Sequence, residues 1–126
     1  MDLGANDGTF SQIAKEHNKS VFSFDIDPAC VETNYLKLKA TKSLAILPLV
    51  FDIANPEPGI GWLNQERPSI IQRIKSDTVM ALAVIHHLCI SNNLPLENLA
   101  IFLTILPTIA LSSNLFRKRT KKCSCY

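Results

Sequence analysis

Met1-Asp2-Leu3-Gly4-Ala5-Asn6-Asp7-Gly8 opens the chain, and the rest of the fold is organised around this stretch. An apolar lead-in followed by two glycines four residues apart predicts a strand that turns into a helix. Gly4 can adopt a positive φ, and Asn6 is one of the few other residues that tolerate the left-handed region. The helix after Gly8 has apolar residues on one face, namely Phe10, Ile13 and Ala14. Open α/β sheets bind ligands at such a turn.

The residues of this turn favour a cationic ligand over a phosphate. The turn matches neither the dinucleotide fingerprint G-x-G-x-x-G nor the phosphate loop G-x-x-x-x-G-K-[ST]. It has no middle glycine and no lysine, and Asp2 and Asp7 would repel a phosphate. S-adenosylmethionine, which carries an ammonium and a sulfonium, fits such a turn. From the turn alone, a plain strand-turn-helix that binds nothing is an equally good interpretation.

The second predicted strand, 20–25, ends at an acid. Asp25 follows the glycine turn by about twenty residues, a position from which a carboxylate accepts hydrogen bonds from ribose hydroxyls. Asp27 precedes Pro28, and this pair predicts a helix start with the carboxylate as N-cap. The spacing of three residues in that helix predicts that they face the sheet: Val31, Tyr35 and Leu38.

Two further strands are predicted, at 45–51 and 78–83. Pro48 cannot donate to a ladder, so it indicates an edge strand or an irregular one. The run at 78–83 is apolar without alternation, which is typical of a parallel strand buried on both faces. Ala81 and Leu82 lie at its carboxyl tip, where small side chains leave room for a ligand.

A loop rich in proline and glycine, 55–62, separates these two strands. Trp62 either covers the ligand pocket or anchors the loop to the body of the domain, and anchoring is the commoner outcome. Arg67 is interpreted as a solvated side chain, and Pro68 as the start of a short helix.

Two histidines, His86 and His87, follow the fourth strand. Adjacent side chains point apart on a regular element, so the pair is a poor metal site, and we predict no bound metal. Imidazole is the commonest general base near neutral pH, so one of the two histidines could have that role. The polar turn 91–93 includes Asn92, a candidate substrate contact. An amphipathic helix then runs to Pro107.

Four blocks of this sequence, in order, resemble class I S-adenosylmethionine-dependent methyltransferases. They are Asp-Leu-Gly-Ala-Asn-Asp-Gly at 2–8, Phe-Asp-Ile-Asp-Pro at 24–28, Leu-Pro-Leu-Val-Phe-Asp at 47–52 and the segment 77–88. The finer resemblance is to a group related to nodulation-type methyltransferases, which carries similar Ala-Leu-Ala-Val-Ile-His-His-Leu and Ile-Ser-Asn-Asn blocks.

The resemblance implies a partial doubly wound, Rossmann-like α/β domain over 1–115, with a mostly parallel sheet and S-adenosyl-L-methionine as cofactor. It assigns Asp25 to the ribose, Ile26 to the adenine ring and Asp52 to the exocyclic amine of adenine. The alternative for Asp52, a turn acid at the end of the strand, is slightly less favoured. The full set of cofactor-binding residues that it implies is Asp2, Gly4, Asn6, Gly8, Asp25, Ile26, Asp52, Ala81 and Leu82. The catalytic residue is unassigned, with His86, His87 and Asn92 as candidates, although the family's His-His pair more often packs the site than does chemistry.

A length of 126 residues is enough for one domain at most. Five of its 13 basic residues lie within 117–122, and the remaining 8 face 11 acidic residues, so the body of the domain gives no electrostatic reason to bind nucleic acid. Residues 116–126 are predicted to be a disordered basic tail. Cys30 and Cys89 are typical of reduced thiols in a cytoplasmic protein. The apolar run 99–111 is too short to span a membrane.

The family pattern also continues beyond both ends of this sequence, so we expect a truncated and marginally stable domain. The function expected from the resemblance is methyl transfer to an unidentified acceptor. One alternative is a non-catalytic fragment that binds the cofactor weakly or not at all. Another is a module that binds a nicotinamide dinucleotide, which the missing middle glycine disfavours.

Overall fold

The computed structural model describes residues 1–82 and 84–106. In chain order the elements are β1 (Asp2–Leu3), α1 (Thr9–Glu16), β2 (Val21–Asp25), α2 (Pro28–Ala40), β3 (Ile46–Val50), α3 (Ile70–Arg73), β4 (Met80–Ala81) and α4 (Leu96–Ile105). A 3₁₀ turn at Trp62–Asn64 and a π-helix at His87–Ser91 complete them. None of the helices in these ranges is long and apolar enough to cross a membrane.

The four strands form one parallel sheet in the order β3-β2-β1-β4. This confirms the predicted α/β class and a partial Rossmann-like topology. β1 is central although it has only two residues, and hydrogen bonds outside it extend its pairing: Gly4 N donates to Phe24 O at 2.8 Å, and Met80 N to Met1 O at 2.8 Å. β4 begins two residues after the start of the predicted strand 78–83 and pairs with β1 over two residues, and the predicted end at Ala83 lies outside the described residues.

β3 lies at the edge of the sheet, which confirms the interpretation of Pro48. Val21 N donates to Ala45 O at 2.8 Å and Phe51 N to Asp25 O at 2.8 Å. The backbone groups of the odd-numbered residues of β3 therefore face β2, and those of the even-numbered residues face outward. Pro48 is even-numbered, so the amide hydrogen that proline lacks is one that would have faced solvent.

Apolar side chains cover both faces of the sheet. On one face, Leu3 and Phe24 pack in a core with Leu99 and Leu103 of α4 and with Leu106, which follows this helix. On the other face, Val21 and Ile46 pack against Leu38 of α2, with Ala14 of α1 beside them. Helices on both faces are the arrangement expected for a doubly wound sheet.

The two helices that precede β2 and β3 bury some of the residues predicted to face the sheet and expose others. In α2, Tyr35 is 50% exposed with the Lys39 ammonium 5.8 Å from its ring centre, whereas Asn34 is buried together with Leu38. In α1, Phe10 and Ile13 are about half exposed and Ser11 is fully buried. Leu38 faces the sheet as predicted and Ala14 packs beside it, whereas Asn34 takes the inward position predicted for Tyr35, one residue or about 100° away around the helix.

Some predictions lie outside the described residues. These are the helix stop at Pro107, a further strand within 108–115 and the basic tail 116–126. The predicted division of the chain at 115 stays a prediction.

Candidate functional site

The strand order places a topological switch point between β1 and β4. From β1 the chain adds β2 and β3 on one side and β4 on the other. In open α/β sheets, ligands bind at the carboxyl ends of the strands beside such a point. Four loops meet this carboxyl edge: the glycine turn after β1, and the chain after Asp25, after Val50 and after Ala81.

The glycine turn has the backbone that its sequence predicts. Gly4, Asn6 and Gly8 have φ of 71°, 51° and 84°, all in the left-handed region. Gly4 N and Ala5 N both donate to Phe24 O, at 2.8 and 2.9 Å, and Gly8 N donates to Ala5 O at 2.9 Å. The turn is thus fixed to β2, and α1 begins at its end. No side chain caps the amino end of α1.

Both glycines are also required by their neighbours in the fold. A Cβ at Gly4 would overlap Cγ2 of Val84, which follows β4 in the chain. A Cβ at Gly8 would overlap the side-chain amide of Asn34 in α2. Because packing within the protein explains both glycines, they are not evidence of a ligand by themselves.

Asp25 connects the first two loops of this edge. Its Oδ2 accepts a hydrogen bond from Asn6 N at 2.7 Å, and its Oδ1 accepts one from Asp27 N at 2.9 Å. An ionised carboxylate offers about four lone-pair sites, so about two remain for ribose hydroxyls. Ile26, next along the chain, is 61% exposed and available to pack against a flat ring. Asp27 caps α2 as predicted, accepting from Ala29 N at 2.9 Å.

The structure places the other two acids of the first loop differently. Asp2 is 1% exposed and lies between β1 and α1, where its Oδ2 accepts a hydrogen bond from Ser11 Oγ at 2.7 Å. Because its side chain is buried, Asp2 is not brought to the edge with Asn6 and Asp25, and this burial raises its pKa. Asp7 accepts from Lys37 Nζ at 2.7 Å, and this hydrogen bond lowers the pKa of Asp7.

These positions change the electrostatic argument from the sequence. Asp2 is buried and Asp7 is paired with a lysine, so neither gives the predicted repulsion of a phosphate. Asp27 caps α2, so the acids that remain available to a ligand at this edge are Asp25 and Asp52. Their combined charge opposes a phosphate and favours a cation.

At the ends of β3 and β4 the structure brings three predicted residues to the same edge. Asp52 Oδ1 accepts from Ala54 N at 2.8 Å, which is the turn role considered for this acid. Its contact with an adenine stays a prediction. Ala81 and Leu82 are half-buried at the tip of β4.

The two histidines do not point apart. The ring centres of His86 and His87 are 3.9 Å apart with an interplanar angle of 41°. The expectation was wrong because it assumed one regular element, whereas a π-helix begins at His87 and His86 precedes it. Both rings are exposed, as is Asn92 at the end of the π-helix. Residues 1–82 and 84–106 contain no group of three or more His, Cys, Asp or Glu that could hold a metal ion.

Trp62 does not anchor its loop. It is 79% exposed at the tip of a loop closed by a bridge between Ile60 and Arg67. Glu57 anchors the loop instead, since it accepts from Arg67 at 2.7 Å and from Arg73 at 2.9 Å. Arg67 is exposed, as its interpretation as a solvated side chain requires, and it also pairs with Glu57.

Sequence reasoning missed the residues that support this edge from within: Ser11, Ser23, Asn34 and Val84. The one sequence signal that could have found them was Asn34, a polar residue next to Tyr35 in the stripe predicted to face the sheet.

The chain is similar in sequence to a known nodulation protein. Over 105 residues the chain is 38% identical to Nodulation protein NoeA of Rhizobium meliloti (strain 1021). The match covers 82% of this chain and 22% of that protein, so the chain spans about a fifth of its relative's length. The predicted resemblance to nodulation proteins is confirmed to this extent. No family model matches the chain, and no solved structure does.

Proposed function

We propose that the carboxyl edge of this sheet binds S-adenosylmethionine, and that the chain is part of a methyltransferase with an unidentified acceptor. The observation that carries this proposal is the position of Asp25. Its carboxylate lies at the tip of β2 beside the switch point and is hydrogen-bonded to the glycine turn through Asn6 N.

Each part of the cofactor has a complementary group at this edge. The ribose hydroxyls would donate to the remaining lone pairs of Asp25, and the adenine ring would pack against Ile26. The sulfonium and ammonium would lie in the negative field of Asp25 and Asp52. The carboxylate of the cofactor's methionine part would lie near the amino end of α1, where the helix dipole favours negative charge.

The chain's contribution to the chemistry would be positioning and exclusion of water. When bound, S-adenosylmethionine supplies an electrophilic methyl group, and its transfer to an acceptor lone pair leaves a neutral thioether. An in-line displacement of this kind needs alignment more than acid or base groups. If the acceptor is a hydroxyl, the exposed imidazoles of His86 and His87 are the candidates to take its proton.

Two rival functions make different predictions. A nicotinamide dinucleotide would bring a pyrophosphate against the glycine turn, where Asn6 replaces the middle glycine and Asp25 is adjacent. A domain without a cofactor is favoured by the packing of Val84 on Gly4 and of Asn34 on Gly8, since both glycines are explained without a ligand.

Isothermal titration of the full chain separates these possibilities. S-adenosylmethionine and its demethylated product S-adenosylhomocysteine should bind, and a nicotinamide dinucleotide should not. Asp25→Ala should abolish binding, because it removes the acceptor for the ribose and the hydrogen bond to Asn6 N. The matched control is Asp27→Ala, which should keep the affinity and lose about 1 kcal/mol of stability with the helix cap.

Two results would count against the proposal. Equal binding by the wild type and Asp25→Ala would contradict the ribose assignment. A folded wild type that binds neither S-adenosyl compound would favour the domain without a cofactor.

A further inference from the structure

We infer that Asn34 of α2 is a positioning residue for the glycine turn, holding Gly8 where a ligand at the turn requires it. The value of this residue for ligand binding rests on the proposed function. The contacts themselves do not, and they can be tested without a ligand.

Four polar residues are buried within the described part of the chain: Asp2, Ser11, Ser23 and Asn34. They form two hydrogen-bonded pairs on one face of the sheet. Ser11 Oγ of α1 donates to Asp2 Oδ2 at 2.7 Å, and Asn34 Nδ2 of α2 donates to Ser23 Oγ at 2.9 Å. Asp2 and Ser23 are neighbours across β1 and β2, so the two pairs lie side by side.

Asn34 connects this polar layer to the turn. Its side-chain amide packs so closely against Gly8 that a Cβ there would overlap it. Asn34 is 1% exposed, and its Oδ1 has no hydrogen-bond partner among the residues that the structure describes. An apolar side chain of similar size would avoid an unsatisfied buried oxygen. The hydrogen bond to Ser23 instead fixes the plane of the amide on which Gly8 lies.

The same helix contacts the turn at two further points. Lys37 is three residues after Asn34, on the adjacent part of the helix surface, and its ammonium pairs with Asp7 at 2.7 Å. At the start of α2, Asp27 N donates to Asp25 Oδ1. α2 therefore contacts both the glycine turn and the predicted ribose acid, so its position fixes the separation of the two groups proposed to bind the cofactor.

Amide hydrogen exchange measured by NMR on the full chain tests the positioning directly. Asn34→Ala should accelerate exchange of the Gly8 amide by about tenfold or more relative to Val21, because removing its support opens the turn locally. Val21 N, bonded to Ala45 O, reports the stability of the sheet. The matched control is Leu38→Ala, since Leu38 is buried on the same helix but packs against Val21 and Ile46 instead of the turn. It should accelerate Gly8 and Val21 together.

Ser23→Ala provides a milder test if Asn34→Ala does not fold, because it removes the partner of the Asn34 amide without opening a space beside Gly8. It should accelerate Gly8 exchange selectively as well. Unchanged Gly8 exchange relative to Val21 in the folded variants would overturn the inference.

Titration with S-adenosylhomocysteine then separates the two proposals. Asn34→Ala should weaken binding by about tenfold and Leu38→Ala by less than about twofold, because only the first displaces the turn. If Gly8 exchange responds as expected but the wild type does not bind, the positioning of the turn stands and the cofactor proposal fails. If the wild type binds and Asn34→Ala binds equally well, the role of Asn34 in ligand binding is overturned.

Discussion

Replacing Gly4 by alanine should destabilise the domain for two separable reasons. Gly4 has a φ of +71°, a conformation that costs a residue with a Cβ about 1–2 kcal/mol. The new Cβ would also overlap Cγ2 of Val84, and overpacking of this kind costs about 1–3 kcal/mol. We therefore expect Gly4→Ala to lose about 2–5 kcal/mol, a large share of the roughly 5–15 kcal/mol that stabilises a typical domain.

A double-mutant cycle with Val84→Ala isolates the second cost. Val84 is half-buried, so removing its two methyl groups alone should cost about 1 kcal/mol. In the double variant the overlap is gone and only the backbone cost remains. The two substitutions together should therefore cost about 1–3 kcal/mol less than the sum of their separate effects.

The assay is urea unfolding followed by circular dichroism, with the midpoints compared at an unchanged slope. Gly61→Ala is the matched control. Gly61 also has a positive φ, +88°, and a Cβ there would overlap the side chain of Glu66, so Gly61→Ala combines a backbone cost with a steric one that does not involve Val84. Gly61→Ala and Val84→Ala should be additive. Additivity of Gly4→Ala and Val84→Ala would refute the reasoning, since it would mean that the chain after β4 does not pack on the glycine turn.

Two further predictions concern the sheet edge and the buried acid. Pro48→Thr adds an outward-facing amide to the edge strand β3, where it can pair with a second copy of the chain. Size-exclusion chromatography with light scattering should therefore show more self-association than for the wild type. An unchanged mass would contradict a role of Pro48 in preventing edge pairing. Burial raises the pKa of Asp2 above its ordinary 3.8, so the stability linked to this group is present below pH 3.8 and lost as the pH rises through the folded pKa. Asp2→Asn removes the charge but can still accept a hydrogen bond from Ser11. It should therefore raise the melting temperature at pH 7 and leave it unchanged at pH 3. A rise of equal size at pH 3 would disprove burial of the charge as the cause.

The sequence predicted best those features that depend on neighbours along the chain. Asp27 caps α2 because its carboxylate reaches an amide two residues ahead. Gly4, Asn6 and Gly8 have the positive φ that their residue types allow. Pro48 lies at an edge because it has no amide to donate, whatever its partner strand is. Each of these needs only local geometry, so tertiary structure had little to change.

The sequence failed where the result depends on which neighbour packs against a side chain. In α2 the apolar residues lie nearly evenly around the helix, so their spacing could not determine which stripe faces the sheet. The position of β2 determines it, by bonding Ser23 to Asn34 and leaving Tyr35 outside. Likewise, Glu57 binds Arg67 and Arg73 from 10 and 16 residues away, which leaves Trp62 without an anchoring role.

The sequence by itself determined the class of fold, the conformation of the glycine turn and the acids available at the carboxyl edge. Only the tertiary structure decided which acids face solvent: Asp2 is inside with Ser11, Asp7 is paired with Lys37, and Asp25 is at the edge joined to Asn6. The physical reason is that a carboxylate's charge and accessibility depend on the groups folded against it. Those groups come from other strands and helices, and no spacing within one segment specifies them.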